Sequence, residues 1–501
     1  MSHRPRVIIV GGGMVGARCA EELRSRSRSL EIIVLGDEEH LAYNRVLLST
    51  ALAGSLAPSE TELHSARWWR ERDIDFRTST SVQAVEAAAR TVLVDGPAGP
   101  EQLPFDHLVL ATGARSFLPP TLTTAHDVGH PEILGLRGRA DCERVLAAAR
   151  GARNIAVIGG GVLGVEIADA LARNPDVAGR GARVSLLHPG DAPMDKQLGA
   201  TPGAILARCV REQGVDLMLG ARAAGVEEGG LRLGDGQFVP ADLVVVSAGV
   251  RANTALAENA GVDVRRGIVI DERCSTSADG LWAAGDCAEF DGVPTGTLRP
   301  GWEQAEVVAH NICAQFGGAQ EPRTVAHRRE AVRLKIDALD VASFGRWCVE
   351  PFDWEPGGPD VTVLSDPAAG RYGKLVVESG RIVGGVLVGM DDVVGAVTQM
   401  FDSGAMAPLD RLAMLTGTES AGAGGGEPEP ADMPGEHTVC QCNAVSKDAL
   451  VRAHGEGACD VAAIAECTRA TTGCGTCAGK VEKILGWLDA QDAHAREPAT
   501  V

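Results

Sequence analysis

The sequence predicts an α/β protein assembled from two strand–helix–strand domains, a small α/β domain and a small helical domain. Three observations carry this reading. A β-branched run, the pattern GGGxxG and an amphipathic helix occur in that order twice, as Val7-Ile-Ile-Val-Gly-Gly-Gly-Met-Val-Gly16 and Ile155-Ala-Val-Ile-Gly-Gly-Gly-Val-Leu-Gly164. Strand-like stretches alternate through residues 325–410, among them Gly373-Lys-Leu-Val-Val and Ile382-Val-Gly-Gly-Val-Leu-Val. The last segment holds four cysteines in two close pairs among short helical patterns. Each GGGxxG unit is followed by a second apolar run, Ile32–Leu35 or Val184–Leu187, so each reads as βαβ. That is the signature of a Rossmann-like dinucleotide-binding domain.

Length and composition bound the rest. The 501 residues allow three or four domains at roughly 100–200 residues each. Apolar residues make up 45% but aromatics only 4%, so Ala, Val, Leu and Ile must fill the cores. The formal net charge of −20 argues against nucleic acid and anionic membranes, because phosphate binding needs clustered Lys and Arg. The opening MSHRPRVIIVGGG has no apolar signal core, and the longest apolar runs, such as Leu243–Val246, are too short to span a bilayer. A cytoplasmic protein is expected, and disulfides are rare there. The 13 cysteines, mostly scattered, are therefore read as ligands or redox groups where they cluster.

The expected boundaries are residues 1–117 with 246–324 for the first dinucleotide domain, 118–245 for the second, and 325–415 for the small α/β domain. Residues 416–436, rich in Gly, Ala, Pro and acids, are read as a flexible linker without a core, on which the tail could swing. Residues 437–490 form the cysteine-bearing domain. Within it Ser446 is the expected N-cap of a helix beginning at Lys447.

In the first fingerprint Gly11 permits the tight turn, Gly13 admits a pyrophosphate close to the backbone, and Gly16 lets helix pack on strand. Asp37, at the end of the second strand, can accept hydrogen bonds from ribose hydroxyls. The second fingerprint uses Gly159, Gly161 and Gly164, with Glu166 close behind. Its second strand ends in His188, neither the acid that favours NAD nor an arginine that grips a 2′-phosphate. Pro189, Gly190 and Asp191 follow, and a carboxylate there would repel a phosphate. NADH and NADPH both remain open, with the balance toward NADH.

These fingerprints, together with Ala111-Thr-Gly-Ala, Ser247-Ala-Gly-Val-Arg and Ala284-Gly-Asp-Cys, resemble the two-dinucleotide-domain pyridine-nucleotide:flavin oxidoreductases over roughly residues 5–410. The resemblance implies FAD in the first domain and NAD in the second. It implies that Thr112 and Gly113 close over the FAD, and that Asp286, after Gly285, binds its ribityl chain or pyrophosphate. Arg45 and Ser49 should lie beside the flavin, and Glu303 and Gln304 should start a helix near its pyrimidine ring. Gly249 and Glu166 should flank the nicotinamide nucleotide. Many relatives carry Lys where this chain has Thr50, which puts a flavin-tuning cation there in doubt.

Many proteins of this fold pass electrons through a cysteine beside the flavin. Residues 37–50 contain none, Cys19 stands alone, and Cys287 reads as a small packing residue, so a disulfide relay is disfavoured. Cys440, Cys442, Cys474 and Cys477 offer another exit. Two thiolate pairs about 30 residues apart suit either a [2Fe-2S] cluster or a Zn(Cys)₄ site, and spacing does not separate them. Val439-Cys-Gln-Cys-Asn-Ala-Val-Ser446 and Thr472-Gly-Cys-Gly-Thr-Cys477 are similar to the bacterioferritin-associated-ferredoxin type of [2Fe-2S] domain. That domain follows the same flavoprotein module in NADH-dependent nitrite reductase large subunits and in electron-transfer subunits of assimilatory nitrate reductases. Cys459 and Cys467, outside the pattern, are read as core residues.

The resemblance thus implies an NADH-dependent FAD/[2Fe-2S] electron-transfer subunit serving the molybdenum catalytic subunit of an assimilatory nitrate reductase. Nitrite reductase large subunits continue into a sirohaem half, whereas this sequence ends at Val501, so no nitrite centre is expected. Donation to a separate sirohaem nitrite reductase, or an NADH:ferredoxin or rubredoxin-type reductase, are the alternatives. A zinc- or cluster-stabilised binding module with a vestigial flavoprotein is opposed by the intact glycine triplets, Asp37 and Asp286. No residue reads as a general acid or base, since hydride and electron transfer belong to the cofactors.

Overall fold

The computed structural model describes residues 4–122, 130–317, 321–325, 331–352, 357–417, 429–440, 443, 445–473, 475 and 477–496. Strands Arg6–Val10, Glu31–Leu35 and Ile74–Arg77 run parallel on one side of the first sheet, and His107–Leu110 and Leu281–Ala283 complete the other. The late strand Leu281–Ala283 enters this sheet, so the first domain is built from two separated stretches of chain. The second sheet has the order Val215–Leu219, Arg183–His188, Asn154–Ile158, Leu243–Val246, Glu132–Gly135, again all parallel. Its central strands read as continuous apolar runs because helices or small antiparallel sheets cover both faces. Val7, Ile8 and Ile9 are fully buried, as are Ala156 and Val157.

The helices Met14–Arg26 and Val162–Arg173 follow the first strand of each sheet. Both have glycine N-caps and no side-chain cap, which leaves their first backbone N–H groups open to a ligand. A two-stranded ribbon, Ala114–Ser116 with Val250–Ala252, joins the two domains. Nearby, Thr112 donates from Oγ1 to the Asn253 carbonyl at 2.7 Å and accepts at its own carbonyl from the Asn253 amide.

The third unit is an antiparallel five-stranded sheet, Ala331–Ile336, Leu339–Gly345, Arg381–Val388, Arg371–Glu378, Asp360–Asp366, packed against helix Asp391–Ser403. Part of the expected linker, residues 418–428, lies outside the described residues. The remainder departs from the coreless expectation. Met433 is buried in the tail core, and the Lys447 ammonium donates to its carbonyl at 2.7 Å. The tail has helices Lys447–Gly455, Val461–Thr468 and Ala478–Arg496. Ser446 caps the first of these by accepting from the Ala449 N–H.

Cys459 and Cys467 are both exposed, which corrects their reading as core residues. Helix Val461–Thr468 starts after Cys459, with Asp460 as its cap, so helical periodicity never linked the two. Ile464 is the residue of that helix which fills the core. Among the described residues, no helix is long and apolar enough to cross a membrane.

Candidate functional site

A cavity of about 770 Å³ opens between the two parallel-sheet domains and the small sheet domain. Gly11 and Gly13 form its floor, and the neighbourhood of Gly11 allows nothing larger. Gly11 has φ +116°, and a Cβ there would lie 2.2 Å from the Ala111 carbonyl oxygen. Gly16 sits behind the turn, where a Cβ would meet the Gly11 oxygen at 2.0 Å. The turn is thus held against the strand ends, its Gly11 N–H donating to the Leu35 carbonyl at 2.8 Å, and the uncapped start of helix Met14–Arg26 lies at the cavity, a cradle fitted to a pyrophosphate.

Asp37, Arg45, Ser49, Thr112, Gly113, Gly285 and Asp286 also line this cavity. Arg45 is paired with Glu38, and the Tyr43 hydroxyl donates to the same carboxylate at 2.6 Å. Burial drives the Tyr43 phenol pKa upward, so the group stays a hydrogen-bond donor. Asp286 forms an ion pair with Arg137, which also donates to the Ala114 carbonyl at 3.0 Å. Glu38, Tyr43 and Arg137 were not foreseen. Glu38 and Tyr43 flank motif residues already singled out, but Arg137 belongs to the other domain and has no local signal.

Glu303 and Gln304 do not line the cavity. Gln304 is buried, accepts from the Gly285 N–H at 2.8 Å and donates to Thr295 Oγ1, so it fixes the loop that carries Asp286. Among the described residues no cysteine lines the cavity. Cys287 is fully buried behind the cavity wall, its sulfur within hydrogen-bond reach of the Leu110 and Ala284 carbonyls, and burial pushes its pKa upward.

The second fingerprint repeats the construction. Gly159 has φ +109°, and a Cβ there would lie 2.3 Å from the Ser247 oxygen. A Cβ on Gly164 would meet the Gly159 oxygen at 1.7 Å. Nothing lies within 4 Å of such an atom at Gly161 or at Gly249, so both face open space. Glu166, almost buried, reaches the shared cavity, so the second nucleotide groove runs into the first. His188 lies beneath the turn. Its Nδ1 accepts from the Gly160 N–H at 3.1 Å, and its Nε2 lies 3.3 Å from an Asp195 oxygen.

In the tail Cys440 and Cys477 are buried together, while Cys442 and Cys474 lie outside the described residues. The pKa of the Cys440 thiol is held down to about 6. A hydrogen bond with Cys477, the backbone N–H groups of Asn443 and Thr471, and the Asn443 side chain together outweigh burial. A thiolate-favouring pocket of this kind suits a soft metal ligand set.

The pyridine nucleotide-disulphide oxidoreductase family model matches residues 5–311. The chain belongs to that family. The BFD-like [2Fe-2S] binding domain model matches residues 438–487. This family member is an NAD(P)H-dependent oxidoreductase that uses FAD and carries a [2Fe-2S] cluster domain in its tail. It is 31% identical to the nitrite reductase [NAD(P)H] of Bacillus subtilis over 96% of this chain and 57% of that protein. It is 30% identical to the assimilatory nitrate reductase electron transfer subunit of the same organism, over 97% of this chain and 60% of that protein. It is also 30% identical to the ferredoxin–NAD(+) reductase component of the Burkholderia cepacia anthranilate 1,2-dioxygenase system, over 81% of this chain and 96% of that protein. The chain therefore spans three-fifths or less of the nitrite and nitrate reductase relatives. The covalent putidaredoxin reductase–putidaredoxin complex shares the fold, with TM-score 0.70, 24% identity, and coverage of 84% of this chain and 99% of that one.

Proposed function

We propose that this family member takes electrons from NADH through FAD and its own [2Fe-2S] cluster, and delivers them to the molybdenum-containing catalytic subunit of an assimilatory nitrate reductase. One observation carries the reading: the loop bearing the second cysteine pair is seated on the segment 44–47, whose Arg45 and Val46 line the flavin cavity. A cluster held there is next in line after the flavin. The B. subtilis electron transfer subunit, similar over nearly the whole chain, supports this assignment.

Bound FAD supplies two-electron acceptance from a hydride and one-electron release. The chain supplies position and electrostatics. The turn at Gly11 and Gly13 and the uncapped start of helix Met14–Arg26 would receive the FAD pyrophosphate, and Asp37 would accept from the adenosine ribose. Asp286, oriented by Arg137 and by the Gln304-fixed loop, would bind the FAD ribityl chain or pyrophosphate. Thr112 and Gly113 would close over the FAD, while Arg45 and Ser49 would lie beside the flavin. Gly159, Gly161 and Gly164 would receive the dinucleotide, with Glu166 and Gly249 flanking the nicotinamide nucleotide. Cys440, Cys442, Cys474 and Cys477 would hold the cluster. A cytoplasmic location fits the NADH supply and the free thiols.

Donation to a sirohaem nitrite reductase is the second reading, favoured by the 31% identity to a nitrite reductase. Reconstitution separates the two. The purified chain is mixed with a molybdenum nitrate reductase catalytic subunit or with a sirohaem nitrite reductase lacking its own flavoprotein half. NADH-dependent nitrate reduction with the former alone is expected. Nitrite reduction with the latter alone would replace the proposal.

A further inference from the structure

The tail core is separate from the cores of the flavoprotein part, yet the two parts meet through a small, specific set of contacts. On the flavoprotein side stand Glu21 and Glu22, on the first pyrophosphate helix, and Asn44. On the tail side stands the turn from Arg469 to Gly475. Arg469 reaches Glu21 with Nε at 3.0 Å and Glu22 with Nη1 at 2.8 Å. Both carboxylates are about nine-tenths buried in this arrangement. Asn44, 2% exposed, donates from Nδ2 to the carbonyls of Thr472 at 2.9 Å and Gly473 at 2.6 Å. A Cβ on Gly475 would stand 3.0 Å from Leu47 Cδ2, so the apolar contact beside these bonds is close as well.

Each contacting residue is itself fixed. Arg469 ends helix Val461–Thr468 in the left-handed region, φ +65°, and its carbonyl accepts from the Asn443 amide at 2.6 Å. Asn443 sits three residues after Cys440 and approaches its sulfur at 3.8 Å, so it ties the first cysteine pair to the docking turn. On the other side Oδ1 of Asn44 accepts from the Val46 N–H at 3.0 Å, and Val46 lines the flavin cavity. Glu21 is also held by His64 Nε2 at 2.9 Å, and Glu22 by Arg18 and Arg26. Leaving two buried carboxylates without one of their cations is costly, which makes Arg469 the polar keystone of the contact.

We infer that Arg469 and Asn44 are positioning residues of an internal docking interface, which seats the cluster domain against the flavin mouth of its own chain through an arginine gripped by Glu21 and Glu22. The inference rests on the proposed electron route and adds to it that the route is intramolecular and ionic. A tail that hung freely from residues 416–436 would load its cluster by chance encounter. The docked tail is loaded in place.

The test uses the full-length holoprotein and its Arg469→Glu and Arg469→Lys variants, each checked for FAD and iron content. NADH reduction of the flavin, followed by stopped-flow absorbance, should be unchanged in all three. Cluster reduction, followed by electron paramagnetic resonance after rapid freezing, should slow more than about tenfold in Arg469→Glu and stay within about threefold in Arg469→Lys, since Lys keeps the charge. Hydrogen exchange reads docking without electron flow. Amides 43–48 should lose protection in Arg469→Glu and keep most of it in Arg469→Lys. Normal protection and normal cluster reduction in an iron-replete Arg469→Glu protein would overturn the inference. Lost protection in that variant, with no cluster reduction even in the unmodified protein, would uphold the docking and strike only the electron-transfer reading.

Discussion

The backbone N–H of Gly160 donates to Nδ1 of His188 across 3.1 Å. A ring nitrogen that accepts carries no proton, so the proton of the neutral His188 ring sits on Nε2, which is buried 3.3 Å from an Asp195 oxygen without a hydrogen-bond partner among the described residues. The strand end where NAD sites often carry an acid here carries a buried histidine, with Asp195 of the following loop beside it. A 2′-phosphate at this position would meet the Asp195 charge, whereas a ribose hydroxyl would meet a donor or an acceptor.

NADH should therefore be preferred over NADPH by at least about tenfold in kcat/KM, a difference of roughly 1.4 kcal/mol. Asp195→Arg should narrow that ratio by about the same factor, chiefly through KM for NADPH. His188→Arg should act in the same direction but also loosen the Gly160 turn, raising KM for both nucleotides. Steady-state kinetics with both cofactors decides this, and equal kcat/KM in the unmodified enzyme would refute it.

The two glycines at the second turn should respond oppositely to alanine. At Gly164 a Cβ would sit 1.7 Å from a backbone oxygen, so Gly164→Ala must displace the helix and should cost about 1–3 kcal/mol of stability. At Gly161, where φ is −74° and the space is open, alanine should leave thermal unfolding within roughly 0.5 kcal/mol. It would instead stand where the dinucleotide pyrophosphate approaches and should raise KM for NADH about tenfold. Calorimetry and kinetics on the two variants separate a packing glycine from a ligand-facing one.

The features legible in the sequence were those with local periodicity. Both βαβ units, the Ser446 cap and the strand-like stretches of the small α/β domain follow from residues close together in the chain; the antiparallel order of those strands does not. Asp37, Thr112 and Asp286 fell at the cavity because strand ends converge there in any doubly wound sheet. What escaped the reading depends on distant pairs. Arg137 meets Asp286 from 149 positions away, and Arg469 meets Glu22 across 447. No spacing rule reaches such contacts. Gln304 was expected at the flavin ring but serves one layer back, because the helix turn that carries it points into the Gly285 loop. Met433 was lost within a stretch whose composition is otherwise that of a linker, since one buried side chain does not alter an average.

The thiol of Cys440 sets a pH dependence in the metal-free tail. Its folded value of about 6 lies below the ordinary thiol value of 9, with the Cys477 hydrogen bond as the largest cause. A depressed folded value adds stability that is full above the unfolded pKa and is lost as pH falls through the folded one. The metal-free protein should thus lose stability as pH drops from about 9 to below about 6. Ultraviolet thiolate absorbance, taken as the difference between the unmodified and Cys440→Ser proteins, should titrate near pH 6. Asn443→Leu removes one stabilising donor and should move that midpoint upward. A midpoint near the ordinary thiol value would contradict the hydrogen-bonded pocket.

Removing one cluster thiolate should break the electron route at one link only. Cys474→Ser replaces a soft, charged ligand with a hard alcohol, so the protein should lose its iron, about two atoms per chain in the unmodified form. FAD binding should survive, because the flavoprotein sheets have their own cores and, among the described residues, no cysteine lines their cavity. NADH should still reduce the flavin, and a small artificial acceptor should still reoxidise it at the unmodified rate. Nitrate reduction through the partner should fall to background, since the flavin's two electrons would have no one-electron relay to leave by. Iron analysis, dye reduction and coupled nitrate assays on one preparation check all three steps. Stoichiometric zinc without iron in anaerobically purified protein would make the tail structural. Undiminished nitrate reduction by the variant would mean that electrons leave the flavin without crossing the cluster.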